Sequence, residues 1–488
     1  MKVYGIISEY NPFHNGHIYQ IEETKKRTGA THIVAVMSGN FVQRGEPALI
    51  DKFKRAQIAV KNGVDLVIEM PAHYGLANAE MFARAGVMML GALRCVEGIS
   101  FGAETDDIDL LQKCSDAVRE LSTPEKIKPL IEQGMNYPQA IQQLVALEHG
   151  PLVSDILSSS NNILAVEYLK ALKLLKLDEK IKPLAIKRTG ADHDSDEHSD
   201  TIASGEHIRR LIDDGEDISA FVPKDTLDAV AEYEDKELLC WFENFEKILL
   251  YRLRVMSPQD LFSTPDVDQG LGNRIFQAAR VSTSLENLLE NIKTKAYPMA
   301  RIKRILFNAL LGVKAEDLKS PPFYGRILAL NDKGADILKL AGSLPENSLS
   351  IPFSSSLKDF IVKENPRAAR YASMTSVASD IYALGSRNIR PSGMDFTVPV
   401  FFDRIEGFVS ELPADLKTTA HQGTAEEIAK AREADRQEFL ARMAEKAAAQ
   451  GGAVTEAIPS DINASDEDEE ELVDVPDDVI EETDPDND

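Results

Sequence analysis

Apolar and polar positions alternate in two rhythms over the first 215 residues. Continuous apolar runs at Val3–Ile7, His32–Met37 and Asp65–Glu69 predict strands covered on both faces. Ile99–Gly102 and Leu184–Lys187 predict two shorter ones. Between them, apolar residues recur at helical spacing over Gly16–Lys26, which stops near Gly29, and over Asp51–Asn62, Ala77–Leu90, Ile108–Glu120 and Ile163–Leu175. Strand and helix in alternation imply an α/β fold with a Rossmann-like parallel sheet over residues 1–215. From 216 to about 345 the pattern is mainly helical, clearest at Glu237–Arg254, Gly272–Arg280 and Ala300–Leu311. Residues 346–412 are mixed, with a strand-like piece at Phe396–Phe402, so 216–413 is expected to form a mainly helical C-terminal region. Thr424-Ala-Glu-Glu427 reads as a capping box opening an exposed helix within 414–450, whose apolar positions are sparse. Residues 451–488 read as a disordered acidic tail.

Charge changes this picture in one respect. The formal net charge is −26, but the last 38 residues carry 16 Asp or Glu and no Lys or Arg, leaving −10 on the first 450. Any nucleic-acid contact must therefore be a local basic patch. Lys293, Lys295, Arg301, Lys303 and Arg304 around Ala296-Tyr297-Pro298 form such a stripe with an aromatic beside it. The three cysteines, Cys95, Cys114 and Cys240, lack metal-like spacing and fit a reducing compartment. Met1-Lys2-Val3-Tyr4 runs directly into a strand with no signal-peptide pattern, and no apolar stretch of about 18 residues occurs. A cytoplasmic protein without a membrane span is expected.

Candidate chemistry gathers at predicted strand ends, where open parallel sheets bind ligands. The first strand breaks at Asn11-Pro12 and delivers His14 and His17, around Gly16, into the first turn of a helix. Unpaired backbone N–H groups and the positive end of the helix dipole suit a phosphate there. His-x-Gly-His after an N-terminal strand resembles the signature of the HxGH nucleotidyltransferases, which attack the α-phosphate of ATP. A glycine-rich loop after the second strand offers Arg44, Lys52 and Arg55 as phosphate clamps. Ser204 caps a later helix that carries Arg209. Asp192-His193 and Asp196-Glu-His198 read as a polar loop, and His32, His149 and His421 as structural or surface residues.

Five segments together resemble the bacterial tRNA(Met) cytidine acetate ligase family over about residues 1–400. They are Gly5–His17, Met37–Pro47, Ser100–Glu104, Ser160–Leu164 and Ile186–Arg188. The resemblance implies that acetate and ATP form acetyl-adenylate, and that the acetyl group passes to the wobble-cytidine amine of elongator tRNA(Met). It makes residues 1–215 the ATP-binding domain and 216–413 the tRNA-binding one. It places ATP on the segment Ile7, Ser8, Glu9, Tyr10, Asn11, Pro12, Phe13, His14, Asn15, Gly16, His17, Ile18, Tyr19 and Gln20. It adds Gly102, one of Asn161 and Asn162, Arg188 and the Ser204 helix. His14, His17, Arg188 and Arg209 are then the residues expected to stabilise phosphoryl charge, the histidines as protonated or N–H-donating groups. Mg²⁺ is expected with ATP, with no protein ligand for it visible in the sequence. The expected partners are acetate and the tRNA, with no protein partner. Two departures from the family pattern are the late motif Ala203–Arg209, where a more Ser/Ala/Thr-rich version is usual, and the acidic tail. An adenylyltransferase for a small phosphate ester, or a non-catalytic RNA-binding protein, are the competing readings.

Overall fold

β1 (Val3–Ser8) lies inside the sheet, flanked by β2 (His32–Ser38) and, across the reversal of strand order, by β6 (Val96–Ala103). After β2 come a short hairpin, β3 (Phe41–Val42) with β4 (Glu46–Pro47), then β5 (Leu66–Met70), β6 and β7 (Lys182–Lys187). The order β5-β2-β1-β6-β7 is parallel throughout. A cleft therefore opens where β1 and β6 diverge, at their carboxyl ends. The computed structural model describes residues 1–188, 201–361 and 365–405. The Asp192–His198 loop, the helix expected within 414–450 and the acidic tail lie outside the described residues.

The helices that position the cleft are α1 (Asn15–Thr28), α2 (Lys52–Lys61), α3 (Ala79–Ala92), α4 (Ser160–Leu174) and α5 (Gly205–Asp213). Further along, α6 (Met299–Leu311) and α7 (Pro366–Ala383) belong to the helical region. Successive residues of β1 serve opposite faces: Ile6 packs with Ile21 of α1 and Ala56 of α2, while Ile7 packs with Phe82 of α3 and Leu169 of α4. A third core joins Leu249, Ile275, Ile305 and Phe307 of the helical region to Phe41 of the hairpin.

Three readings of the C-terminal half change. The helical run after 216 is interrupted by β8 (Gly325–Asn331), buried at all seven positions and antiparallel to β5. β9 (Phe353–Ser354) and β10 (Phe401–Asp403) pair parallel to β8. β8, β9 and β10 thus complete the edge of the N-terminal sheet. Ile327-Leu-Ala-Leu330 is a continuous apolar run of the kind a buried strand uses, although Leu and Ala also favour helix. Of Phe396–Phe402 only the end is strand; Met394–Thr397 is a helical turn, and Pro399 supplies no donor for a ladder. The helix expected from Glu237 begins at Glu246, because Glu237 takes a left-handed φ of 54° that ends the preceding helix.

Four buried charges tie this returning segment down. Lys52 Nζ lies 2.6 Å from both Glu69 Oε1 and Asp395 Oδ1. Arg326 Nη1 contacts Glu69 Oε2 at 3.4 Å and hydrogen-bonds Asp395 Oδ1, while Nη2 donates to the Asp395 carbonyl at 2.9 Å. All four side chains are at most 2% exposed. Two cations against two carboxylates leave the cluster neutral, the condition under which buried ions are tolerable. Lys52 is consequently a structural residue and no phosphate clamp. Arg55 is another: its Nε donates to the Ile50 carbonyl at 2.9 Å, and its guanidinium holds the carbonyls of Glu9, Ser38 and Gly39.

Candidate active site

β1 ends at Ser8, and Tyr10 turns the chain with φ 48° before a cis Asn11–Pro12 bond. Asn11 Oδ1 accepts from Leu49 N at 2.8 Å, which fixes the turn against the loop after the hairpin. His14 then becomes the N-cap of α1. Its Nδ1 accepts from Gly16 N at 3.1 Å, and His17 Nδ1 accepts from His14 N at 3.1 Å. The two histidines thus do what Ser and Glu do in a capping box. With both Nδ1 atoms accepting, each neutral ring carries its proton on Nε2.

The rings lie face to face at a 31° tilt, centroids 3.8 Å apart, and His17 is enclosed by Tyr10 and Phe13. Burial, with the Arg188 charge added, lowers His14 to about 3. Burial, the neighbouring His14 and Arg188 hold His17 well below the ordinary histidine range. Of the two states open from sequence, protonated or N–H-donating, the free protein therefore holds the second. A Cβ at Gly16 would meet His14 Cε1 at 2.8 Å and Nδ1 at 3.0 Å, so this glycine also makes room for the histidine ring. Gly16→Ala is expected to turn His14 off its cap and reduce ATP turnover by about 10²-fold, the scale of one lost oxyanion donor; pyrophosphate release measures it.

These residues border a cavity of about 230 Å³ at the β1/β6 divergence. One wall is the α1 N-terminus. A second is the α5 N-terminus, capped by Ser204 Oγ, which accepts from His207 N at 3.1 Å. Arg209 of α5 donates to the Asn11 carbonyl at 2.7 Å and pairs with Glu46 at 3.2 Å. A third wall carries Gly102 and Arg188 from the ends of β6 and β7, with Asn161 from α4. Two helix N-termini and two guanidiniums around one cavity are an anion site. The remaining wall, on the α3 and α4 face, is an apolar recess of Phe82, Phe101, Leu164 and Tyr168.

Most of the segment expected to meet ATP lines this cavity: Ile7, Ser8, Glu9, Tyr10, Asn11, Pro12, His14, Gly16, His17, Tyr19 and Gln20. Three members do other work or face elsewhere. Phe13 is fully buried beneath His17. Asn15 staples α1 to the chain around α5, donating to the carbonyls of Thr201 and Ala220 at 3.0 Å each. Ile18 packs against the core shared by α1 and α2. Between the two asparagines, Asn161 borders the cavity and donates to Glu104 Oε1 at 2.6 Å. Asn162 is buried, with Oδ1 accepting from Glu104 N at 3.0 Å, and lies outside the cavity wall. The apolar recess was invisible in sequence, because Phe82, Leu164 and Tyr168 sit at ordinary core spacing.

The α6 part of the basic stripe is not an open surface, whereas Lys293 and Lys295 ahead of it are exposed. Arg304 is 9% exposed and contacts Asp266 at 3.4 Å. Arg301 donates to the Asp266 carbonyl at 2.7 Å and pairs with Asp268, and Lys303 pairs with Glu46 at 2.7 Å. Gly45, at φ 77°, lies so close to α6 that a Cβ would meet Arg304 N at 2.4 Å. This face of α6 is a socket for the β3–β4 hairpin. At the cavity mouth, Arg44 pairs with Glu206 at 2.7 Å, both well exposed. Such a pair contributes little and opens easily.

A family model described as HIGH Nucleotidyl Transferase matches residues 1–395. The chain is 37% identical over 417 residues to the tRNA(Met) cytidine acetate ligase of Acetivibrio thermocellus, covering 81% of this chain and 99% of that one. It is 34% identical over 428 residues to the enzyme of the same name from Thermosipho africanus, covering 83% and 100%. Thermotoga maritima TmcAL bound with alpha-thio ATP superposes with a TM-score of 0.73 at 28% identity, over 83% of this chain and all of that one. With a histidine-capped helix at the switch point of a parallel sheet, and relatives matched along nearly their whole length, the chain belongs to the tRNA(Met) cytidine acetate ligase family of HIGH nucleotidyltransferases.

Proposed function

We propose that the protein activates acetate with ATP as acetyl-adenylate and transfers the acetyl group to N4 of the wobble cytidine of elongator tRNA(Met). The observation that carries the ATP half of this reading is the pair of neutral, Nε2-protonated histidines at a helix N-terminus, set in one cavity with Arg188, Arg209 and a second helix N-terminus; the acetyl acceptor follows the relatives named tRNA(Met) cytidine acetate ligase. In the first step an acetate oxygen attacks the α-phosphorus and pyrophosphate departs in line. The protein then has charge to stabilise and groups to position, with little covalent work of its own. Neutral imidazole N–H groups donate to phosphoryl oxygens without placing two positive charges side by side. Arg188 and Arg209 supply the neutralising charge, with Arg44 joining once Glu206 is displaced. Mg²⁺ enters with ATP as its counter-ion; among the described residues no three His, Cys, Asp or Glu cluster to hold it.

In the second step the cytosine amine attacks the acetyl carbonyl and AMP leaves. The anticodon loop is single-stranded, so the base can be presented unstacked. Of the exposed cations not given to the triphosphate, Lys187 borders the cavity itself, and Lys293 and Lys295 stand ahead of α6. The test is incubation with ATP, [¹⁴C]acetate and tRNA. N4-acetylcytidine at the wobble position of elongator tRNA(Met), with AMP released, is the expected product. AMP retained on a phosphorylated small acceptor would establish the adenylyltransferase reading instead.

A further inference from the structure

Glu9 is the cavity carboxylate that phosphate chemistry leaves unused. It follows β1 directly, lines the same cavity as the histidine pair, and its charge bears on Tyr168 in the apolar recess. Its position is fixed twice over. Oε1 accepts from Gln43 N at 2.8 Å, and its backbone carbonyl is held by Arg55. Oε2 has no hydrogen-bond partner among the described residues. A carboxylate in an anion site repels phosphate, so it suits a hydrogen-bond donor of the substrates, an N–H or O–H of the nucleotide or of the acceptor. The acceptor amine is such a group.

We propose that Glu9 accepts the proton lost by the wobble-cytidine N4 amine as it attacks acetyl-adenylate. This rests on the two-step reaction proposed above. The amine nitrogen forms its bond to the acetyl carbon, and the bond from that carbon to the phosphate oxygen breaks. AMP leaves with the electron pair, and the surplus amine proton passes to Glu9 Oε2. The lone pair of a cytosine amine is drawn into the ring, so removal of its proton must accompany attack. Burial raises the Glu9 carboxyl above its ordinary range, which makes it a better base; Arg44, the Gln43 N–H, Arg209 and Arg55 oppose this. The titratable and charged groups around it are Arg44 beyond β3, Arg209 on α5, Arg55 on α2, Tyr168 on α4 and the neutral His14 and His17 on α1.

The test compares two half-reactions of the full-length protein. Acetate-dependent ATP–pyrophosphate exchange reads activation; single-turnover transfer from enzyme-bound acetyl-adenylate to tRNA reads the second step. In Glu9→Gln, whose amide oxygen still accepts from Gln43 N, transfer is expected to fall about 10²–10⁴-fold more than exchange. The acid limb of the transfer pH profile should flatten. Glu9→Asp, which keeps the carboxylate, should recover part of the loss. Equal loss in both half-reactions, an acid limb that persists in Glu9→Gln, or restoration by excess Mg²⁺ would each overturn the proposal while leaving the two-step reading intact. Absence of acetate-dependent exchange in the wild-type protein would overturn that reading, and the role of Glu9 with it.

Discussion

Replacing His14 with alanine is expected to slow acetate-dependent pyrophosphate exchange by about 10²–10³-fold, the effect of removing one preorganised donor from a charge-stabilising site. Two losses combine in this variant. The Nε2–H disappears, and Gly16 N loses its cap, which costs about 1 kcal/mol of helix stability. His14→Asn separates them, since asparagine caps well but places no donor at the distance of Nε2. It should restore thermal stability without restoring exchange. Full recovery of exchange in His14→Asn would show that the histidine serves only as a cap. The state of the ring also has a pH signature. His14 lies at about 3 in the folded protein, below the ordinary value near 6.5. Between those values the unfolded chain binds a proton that the folded one refuses, so stability declines as pH falls through that window. Above it the imidazole is already neutral. The dependence of kcat/KM on pH for exchange, which reports the free enzyme, should therefore carry no histidine inflection between pH 6 and 8.

The largest effect on stability is expected from Lys52→Met. It removes one cation from a cluster whose four side chains are at most 2% exposed, stranding a net negative charge among Glu69, Asp395 and Arg326. Breaking one member of such a buried set costs about 3–5 kcal/mol. Adding Glu69→Leu leaves the Arg326–Asp395 pair neutral and should recover much of the loss, because apolar replacement of a whole pair is far milder than its disruption. Urea denaturation of both variants measures the difference. A double variant less stable than Lys52→Met would contradict the charge-balance argument. Acid should act in the same direction. Burial alone would raise the Asp395 carboxyl, but Lys52 and Arg326 hold it below its ordinary range. Its stabilisation is present above the unfolded value near 4 and is lost as pH falls through the folded value.

How much of this could be read beforehand depended on whether a feature is local. The five parallel strands and the first helices were legible, because each announces itself within a dozen residues. So was the histidine turn, since Asn11-Pro12, His14 and His17 form one short segment. The sequence expectation missed β8, whose Leu- and Ala-containing run also fits a helix and whose partner β5 lies some 260 residues earlier. The charge cluster is similarly non-local: Lys52 and Arg55 look like any basic helix face until Glu69, Arg326 and the loop carbonyls are placed around them. Arg301 and Arg304 look like a free basic stripe for the same reason. Their partners, Asp266 and Asp268, are distant in sequence and close in space.

The antiparallel pairing of β5 with β8 bears on how the chain is born. Leu66–Met70 is entirely buried in the finished protein, and one of its two neighbours is β8. A ribosome adding about 5–20 residues per second delivers Asn331 roughly 10–50 s after Met70. Throughout that interval a short apolar strand has an open edge, the feature that recruits foreign strands. The N-terminal part of the sheet therefore does not close on its own. Its vulnerable period in synthesis ends only when a segment from the far half of the chain closes that edge.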